Sequence, residues 1–282
     1  MTLILVVGAA PSAGASTVAV GLAHRVAYLG HNVRIERLAG DVRAASDAAA
    51  FAALTFADSA GTPIDAPTDV AGLVTIAEAP AGADASAIAA RLGARLVVVG
   101  PPGTTAPAGA TLIVNHVNEG AGIGLRQLGE DRLLAAPTVR QLIEASGAQV
   151  LTRSVEGEAA VCEHLVIGAI SHDPADAYFN RFPRRAVIAR AEKVDLALAA
   201  MLTHSECLIL TGGHEPSPYI LDRAASTRET TLLLAPGGTV ETMRDLEGTF
   251  GSAPFSGEAK VDRIGGLMRV AIDDATVAAL LA

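Results

Sequence analysis

Two glycines, Gly8 and Gly14, bracket a run of small residues, GAAPSAGAST at 8–17, which ends on the hydroxyls of Ser16 and Thr17. A loop of this kind can turn its backbone N–H groups toward a phosphate. In the general pattern Gly-x-x-x-x-Gly-Lys-[Ser/Thr], the lysine reaches the outer phosphates and the hydroxyl holds magnesium. Here one more residue separates the glycines, and position 15 is alanine. The candidate phosphate contacts are Gly8, Ser12, Gly14, Ala15, Ser16 and Thr17, with Ser16 as the candidate magnesium ligand. The alternative is a strand-to-helix turn that holds nothing. No lysine precedes Lys193, so the expectation is that no lysine of the first domain replaces the missing one. Removing one well-placed cation from a transferring phosphoryl group costs several kcal/mol of transition-state stabilisation. Loop amides and a helix N-terminus still attract an anion, so binding can survive where hydrolysis does not.

A second set of candidates lies in the other half of the chain. Gly212 and Gly213 follow Thr211 and permit unusual backbone angles or close approach, which suits a ligand or a dimer partner. His172-Asp173 and His214-Glu215 each follow an expected strand, at the edge where parallel sheets take ligands; capping and turn formation are the alternative roles for the two carboxylates. Arg181, Arg184, Arg185 and Arg190 form a basic cluster beside Phe179 and Phe182, read as a solvated face or a phosphate or subunit contact. The seven histidines make no HExxH and no close carboxylate–histidine pair at ligand spacing, so metal catalysis is not expected. Cys162 and Cys207 stand alone in apolar surroundings and read as buried thiols.

These residues need elements to hold them. The apolar run at 3–7 fits a buried parallel strand. A helix over 16–29 ends at Gly30, and a strand over 32–38 completes a β-loop-α-β unit. A helix follows near 44–56, then a strand at 73–78, a helix at 84–92, and strands at 96–99 and 111–114. Pro101-Pro102-Gly103 lies just past a strand end. After 128–132 the pattern restarts, with a helix at 138–145 and strands at 150–153, 165–170, 185–189, 207–210 and 231–234. Helices near 174–181, 193–203, 217–226 and 239–249 separate them. Residues 258–282 read as a closing helix, a short strand at 268–272 and a final helical turn. Strands alternating with helices predict an α/β protein with parallel sheets.

A chain of 282 residues accommodates two cores. Half of it is hydrophobic with only 3% aromatic and no Trp, so small aliphatic side chains must fill those cores. A formal charge of −9 argues against an electrostatic grip on nucleic acid or anionic lipid. No charge-free apolar stretch of about 20 residues occurs, so no membrane span is expected. The N-terminus lacks the basic flank of a signal peptide, and the expected location is cytoplasmic.

The loop at 8–17, LVVVGPPG at 96–103, LIVN at 112–115 and LGEDRLLAAPTVR at 128–140 together resemble the dethiobiotin-synthetase-like P-loop family. The version resembled is the one that precedes a DRTGG domain at the start of long bacterial phosphate acetyltransferases. VIGAIS at 166–171, residues 187–200, and CLILTGG at 207–213 with PSP at 216–218 resemble the DRTGG domain. The resemblance implies a degenerate P-loop NTPase-like parallel-sheet domain over 1–136. A smaller α/β DRTGG-like domain over 137–282, with a C-terminal helical segment, follows it. It also implies departures. Ala15 stands where ligases of the family have lysine, and Gly100-Pro101 where a magnesium-holding glutamate is expected. Ala191-Glu192-Lys193 replaces the Gly-Asp-Arg signature, while Asp195, Thr211, Gly212 and Gly213 remain; with His172 they form the second-domain ligand or dimer site. The chain stops where the acetyl-transferring domain would start. By the same resemblance Arg37 directs a cation toward substrate or is a solvated strand-end charge, and Asn115 reads a base edge or serves a turn.

Three functions are compatible with these residues. The leading one is a regulatory, non-catalytic or weakly catalytic protein that binds a nucleotide or another phosphorylated small molecule. An ATP-dependent ligase of the dethiobiotin synthetase type is the second, and a structural dimeric subunit docking a metabolic enzyme the third. ATP with magnesium is the expected cofactor, if any, and a homodimer the expected assembly.

Overall fold

The computed structural model describes residues 2–68, 70–118, 124–168 and 175–282. The chain divides into two compact units, Met1–Leu134 with Pro254–Ala282, and Ala135–Ala253.

The first unit is built on six strands: β1 (Thr2–Gly8), β2 (Asn32–Arg37), β3 (Leu73–Ala79), β4 (Arg95–Gly100), β5 (Thr111–Val117) and β6 (Gln127–Gly129). They pair in the order β2-β3-β1-β4-β5-β6, every pair parallel. A parallel sheet is covered on both faces, so β1 must be apolar throughout rather than alternating. Its side chains divide accordingly. Ile4 and Val6 join Val18, Leu22, Phe51 and Ile76 on one face, while Leu3, Leu5 and Val7 join Ala77 and Ala89 on the other. The helices α1 (Ala15–Tyr28), α2 (Ala44–Ala52) and α3 (Ala85–Leu92) supply the connections. Asp84 starts α3 by accepting from the backbone N–H of Ala87 at 3.0 Å. The short α4 (Arg132–Ala135) follows β6.

The second unit contains α5 (Val139–Ser146), β7 (Gln149–Thr152), β8 (His164–Ile167), α6 (Ala175–Phe179), β9 (Arg185–Arg190) and α7 (Val194–Leu202). After these come β10 (Cys207–Thr211), α8 (Pro218–Thr227), β11 (Thr231–Leu234) and α9 (Thr239–Glu247). Its sheet runs β7-β11-β10-β9-β8, parallel except for the antiparallel edge strand β7. Thr138 opens α5 with a capping box, its N–H donating to Gln141 Oε1 at 2.7 Å. Pro218 begins α8, where its missing N–H costs nothing. Cys162 and Cys207 are free and buried, as their surroundings in sequence suggest.

The chain then returns to the first unit through α10 (Glu258–Ala271) and α11 (Asp274–Leu281). Helix α10 lies on α1 so closely that a Cβ on Gly21 would meet Met268 Cγ at 2.6 Å and Ile264 Cγ1 at 2.7 Å. Phe255, Ile264, Met268, Ala271, Ile272, Val277 and Leu280 complete the same core as Val18 and Leu22. This corrects the sequence-based division at 136/137, which leaves residues 254–282 with the second domain. It also corrects the short strand expected at 268–272: α10 continues through Ala271, because Lys260, Ile264, Met268 and Ala271 recur at helical spacing on one buried face. Strand β6 carries too few residues to signal itself, and α2 stops at Ala52, short of the expected 56.

Candidate functional site

Strand β1 ends at Gly8 and α1 begins at Ala15, so the loop between them emerges at the carboxyl edge of the first sheet, next to the central strand. Residues 9–12 are exposed, and Gly14, Ala15, Ser16 and Thr17 are half-buried at the start of the helix. The loop is held from β5. Asn115 Nδ2 donates to the carbonyl of Ala13 at 3.0 Å, and His116 Nε2 donates to that of Ser12 at 3.2 Å. Ser12 and Gly14 take the left-handed backbone, φ 60° and 88°. A Cβ on Gly14 would collide with Asn115 Nδ2, so the glycine is required twice, by its angle and by its neighbour. The base-edge contact expected of Asn115 has a competitor, since its amide N–H already holds the loop.

Beside the loop, Ser16 Oγ donates to Glu78 Oε1 at 2.9 Å. Glu78 stands near the end of β3, paired with Val6 of β1. The carboxylate that the resemblance locates at Gly100-Pro101, and counts as missing, therefore has a counterpart one strand to the other side of β1. Burial pushes the Glu78 carboxyl up to about 7, against the downward pull of Arg37 and the Ser16 hydroxyl, while Asp47 pushes the same way as burial. Its Oε2 is buried without a hydrogen-bond partner, 3.8 Å from Arg37 Nε.

Arg37 is buried and paired internally. It is 2% exposed, and its guanidinium is taken up by Asp41 Oδ2 at 2.5 Å, Asp47 Oδ2 at 3.4 Å, the Leu38 carbonyl at 2.8 Å and the Glu78 carbonyl at 3.4 Å. Carboxylates on three sides draw it inward, which is the physical reason it is not the solvated strand-end charge. Asp47, on α2, is also raised by burial, with Arg43 and Arg37 opposing.

Ser16 and Glu78 offer hard oxygen atoms, the donor chemistry magnesium prefers, and the orphaned Glu78 Oε2 leaves a lone pair to be satisfied. Magnesium commonly binds through one or two carboxylates plus phosphate oxygens and water. Among the described residues no cluster of three acidic, His or Cys side chains could hold a metal alone, so a cation here would depend on a phosphate ligand arriving with it.

In the second unit, Thr211 ends β10 fully buried, its Oγ1 within 3.3 Å of the Ala189 carbonyl and 2.9 Å of Thr239 Oγ1. Gly212 and Gly213 have φ of 95° and 66°; Gly212 N–H donates to Gly237 O at 2.8 Å and Ala191 N–H to Thr211 O at 3.1 Å. The turn is thus fastened to the ends of β9 and β11. Asp195 is exposed in the first turn of α7, after β9, on the same carboxyl edge. His172 and Asp173 lie outside the described residues. The basic cluster is not one solvated face. Arg185 is buried, donating to the Phe182 and Thr203 carbonyls, whereas Arg184 pairs with Glu163 and Arg190 with Glu192.

Comparison with known families gives this unit its relation. Residues 141–249 match the DRTGG domain. The DRTGG domain therefore takes in most of α5, the whole second sheet and α9. A solved structure of the CBS and DRTGG domains from the regulatory region of a Clostridium perfringens pyrophosphatase, complexed with the activator diadenosine tetraphosphate, is similar in part. The likeness has 17% identity and a TM-score of 0.37, over 45% of this chain and 54% of that one. The chain thus corresponds to about half the length of that structure.

Glu78 and Asp47 are the site residues that motif reading missed. Glu78 sits inside an apolar strand as the only charged residue of LVTIAEA, and that placement was the available signal.

Proposed function

We propose that this chain is a regulatory protein, non-catalytic or weakly catalytic, which binds a nucleotide or a related phosphorylated small molecule at the loop between Gly8 and Ala15. It would be related to the regulatory half of a phosphate acetyltransferase. The observation that carries the reading is the junction of that loop with the Ser16–Glu78 pair. Loop amides and the N-terminal end of α1 attract the phosphates. Ser16 and Glu78 then offer oxygen atoms for the cation that accompanies them. Position 15 offers no charge, and Arg37 is committed to internal carboxylates, so the groups that would stabilise a transferring phosphoryl are few. The DRTGG match agrees with a regulatory role. Titration calorimetry with ATP, ADP, GTP and CoA tests the reading: heat of binding with at least one of them is expected, and silence with all four would refute it.

The Ser16–Glu78 pair favours one further reading, the ATP-dependent ligase, because a magnesium-holding carboxylate is retained. Magnesium-dependent phosphate release that Glu78→Gln abolishes would support the ligase; release absent from the native chain leaves the regulatory reading in possession.

A further inference from the structure

The chain has two lysines, Lys193 and Lys260. Lys260 belongs to α10, and α10 belongs to the first unit, so the unit whose loop lacks a lysine contains one after all. It is an unusual one. Lys260 is 2% exposed. Burial of a lysine side chain is costly for its charged form, and buried titratable groups recur at functional sites.

Its place in the fold follows from the packing of α10 on α1. The two helices run parallel. Gly21 faces Ile264 and Met268, His24 faces Gly265, and further along Arg269 lies over the ring of Tyr28. The strands fix the same direction. The carbonyl of Ala271, at the end of α10, accepts from the N–H of Arg126 at 2.7 Å, just before β6 begins; Arg263, nearer the start of α10, pairs at 2.5 Å with Asp131, just after β6 ends. The start of α10 therefore lies at the carboxyl edge of the sheet, where the loop emerges. Lys260 precedes Ile264 by one helical turn, and Thr17 precedes Gly21 by one turn, so Lys260 lies level with the first turn of α1. Long helical side chains point back toward their own N-terminus. For Lys260 that direction is toward the carboxyl edge of the sheet, the edge at which the loop between β1 and α1 emerges. Burial lowers the amine to about 8.

We propose that Lys260 supplies from α10 the cation that position 15 lacks, with its ammonium set at the start of α1 to meet an oxygen of a phosphate bound in the loop. This rests on the nucleotide-binding reading above. A lysine arriving on another helix restores the charge of the site without restoring the geometry of a lysine inside the loop. Affinity for polyphosphate is thereby kept apart from the positioning that hydrolysis demands.

The test is calorimetric titration of the full chain with ATP and with inorganic pyrophosphate, comparing the native protein with Lys260→Met. Removing a charge-assisted hydrogen bond to phosphate weakens binding roughly 10- to 100-fold, and the variant should melt no lower than the native protein, since it replaces an amine whose charged form burial disfavours with an apolar chain of similar length. Unchanged affinity in a folded Lys260→Met overturns the proposal and leaves the nucleotide reading standing. No binding by the native protein overturns the nucleotide reading itself, and Lys260 with it. Should Lys260→Met fail to fold, the Lys193→Arg protein, produced with carbon-13-labelled lysine, leaves Lys260 as the single labelled lysine for NMR. A Lys260 resonance that moves on adding pyrophosphate supports the proposal, and one that stays fixed overturns it.

Discussion

Glu78 and Lys260 carry opposite charges and share one condition, burial that works against ionisation. The consequences for stability have opposite signs. The Glu78 carboxyl is raised to about 7, so between its ordinary value and pH 7 the folded chain holds a proton that the unfolded chain has released. The Glu78 contribution to stability therefore falls as pH rises through that window. Glu78→Gln removes this penalty and keeps an oxygen for Ser16; urea unfolding at pH 8 should show a gain on the order of 1–3 kcal/mol, shrinking toward pH 5. Lys260 is lowered to about 8. From pH 8 to its ordinary value of 10.5 the unfolded chain holds the extra proton, and stability contributed by this residue rises with pH. Lys260→Met should abolish that rise and stabilise the protein at pH 7, as read by thermal melting in the two buffers. A melting temperature independent of pH in the native protein would contradict the burial of the amine.

At the scale of elements, the phosphate loop depends on β5 as much as on β1 and α1. Asn115 and His116 hold its two inner carbonyls, so Gly14→Ala must both strain a left-handed backbone and displace Asn115. That variant is expected to lose about 1–3 kcal/mol of stability by chemical denaturation, together with ligand binding; native-like behaviour in both would show that the loop is not held as described. The packing of α1 against α10 depends in the same way on Gly21, where Gly21→Leu inserts a side chain into a space already filled by Ile264 and Met268. A loss of about 1–3 kcal/mol is expected there. The central strands were legible because a strand buried on both faces must be a continuous apolar run, and LILVV and LVVV are such runs. Glu78 escaped notice for the same reason. In a string read for apolar content a single charge looks like the strand's end, whereas its depth comes from the pairing of β3 with β1, which no local pattern encodes. Arg37 was visible as a strand-end cation, but its inward turn depends on Asp41, Asp47 and Glu78, brought from three separate segments.

At the scale of the whole molecule, the first unit is discontinuous in sequence. Residues 254–282 supply one flank of its core, and proximity along the chain pointed instead to the second domain. The apolar residues of α10 show that it needs a partner, but not which one. A fragment of residues 135–253 keeps both faces of its own sheet covered and is expected to melt cooperatively by circular dichroism. A fragment of residues 1–134 exposes the face of α1 that α10 covers and is expected not to, until residues 254–282 are joined to it through a short linker. Cooperative melting of 1–134 alone would contradict this division. Lys260 is the functional consequence. Counted by position it lies far from the loop, and counted by fold it belongs to the same unit.

The most direct measurement is a crystal structure of the full chain grown or soaked with ATP and magnesium. A triphosphate is expected against the backbone of residues 8–14, with a cation touching Ser16 and Glu78 and the Lys260 ammonium within hydrogen-bonding distance of a phosphate oxygen. A nucleotide bound elsewhere, for example at Gly212 and Gly213, with the loop empty, would show that the loop is not the binding site.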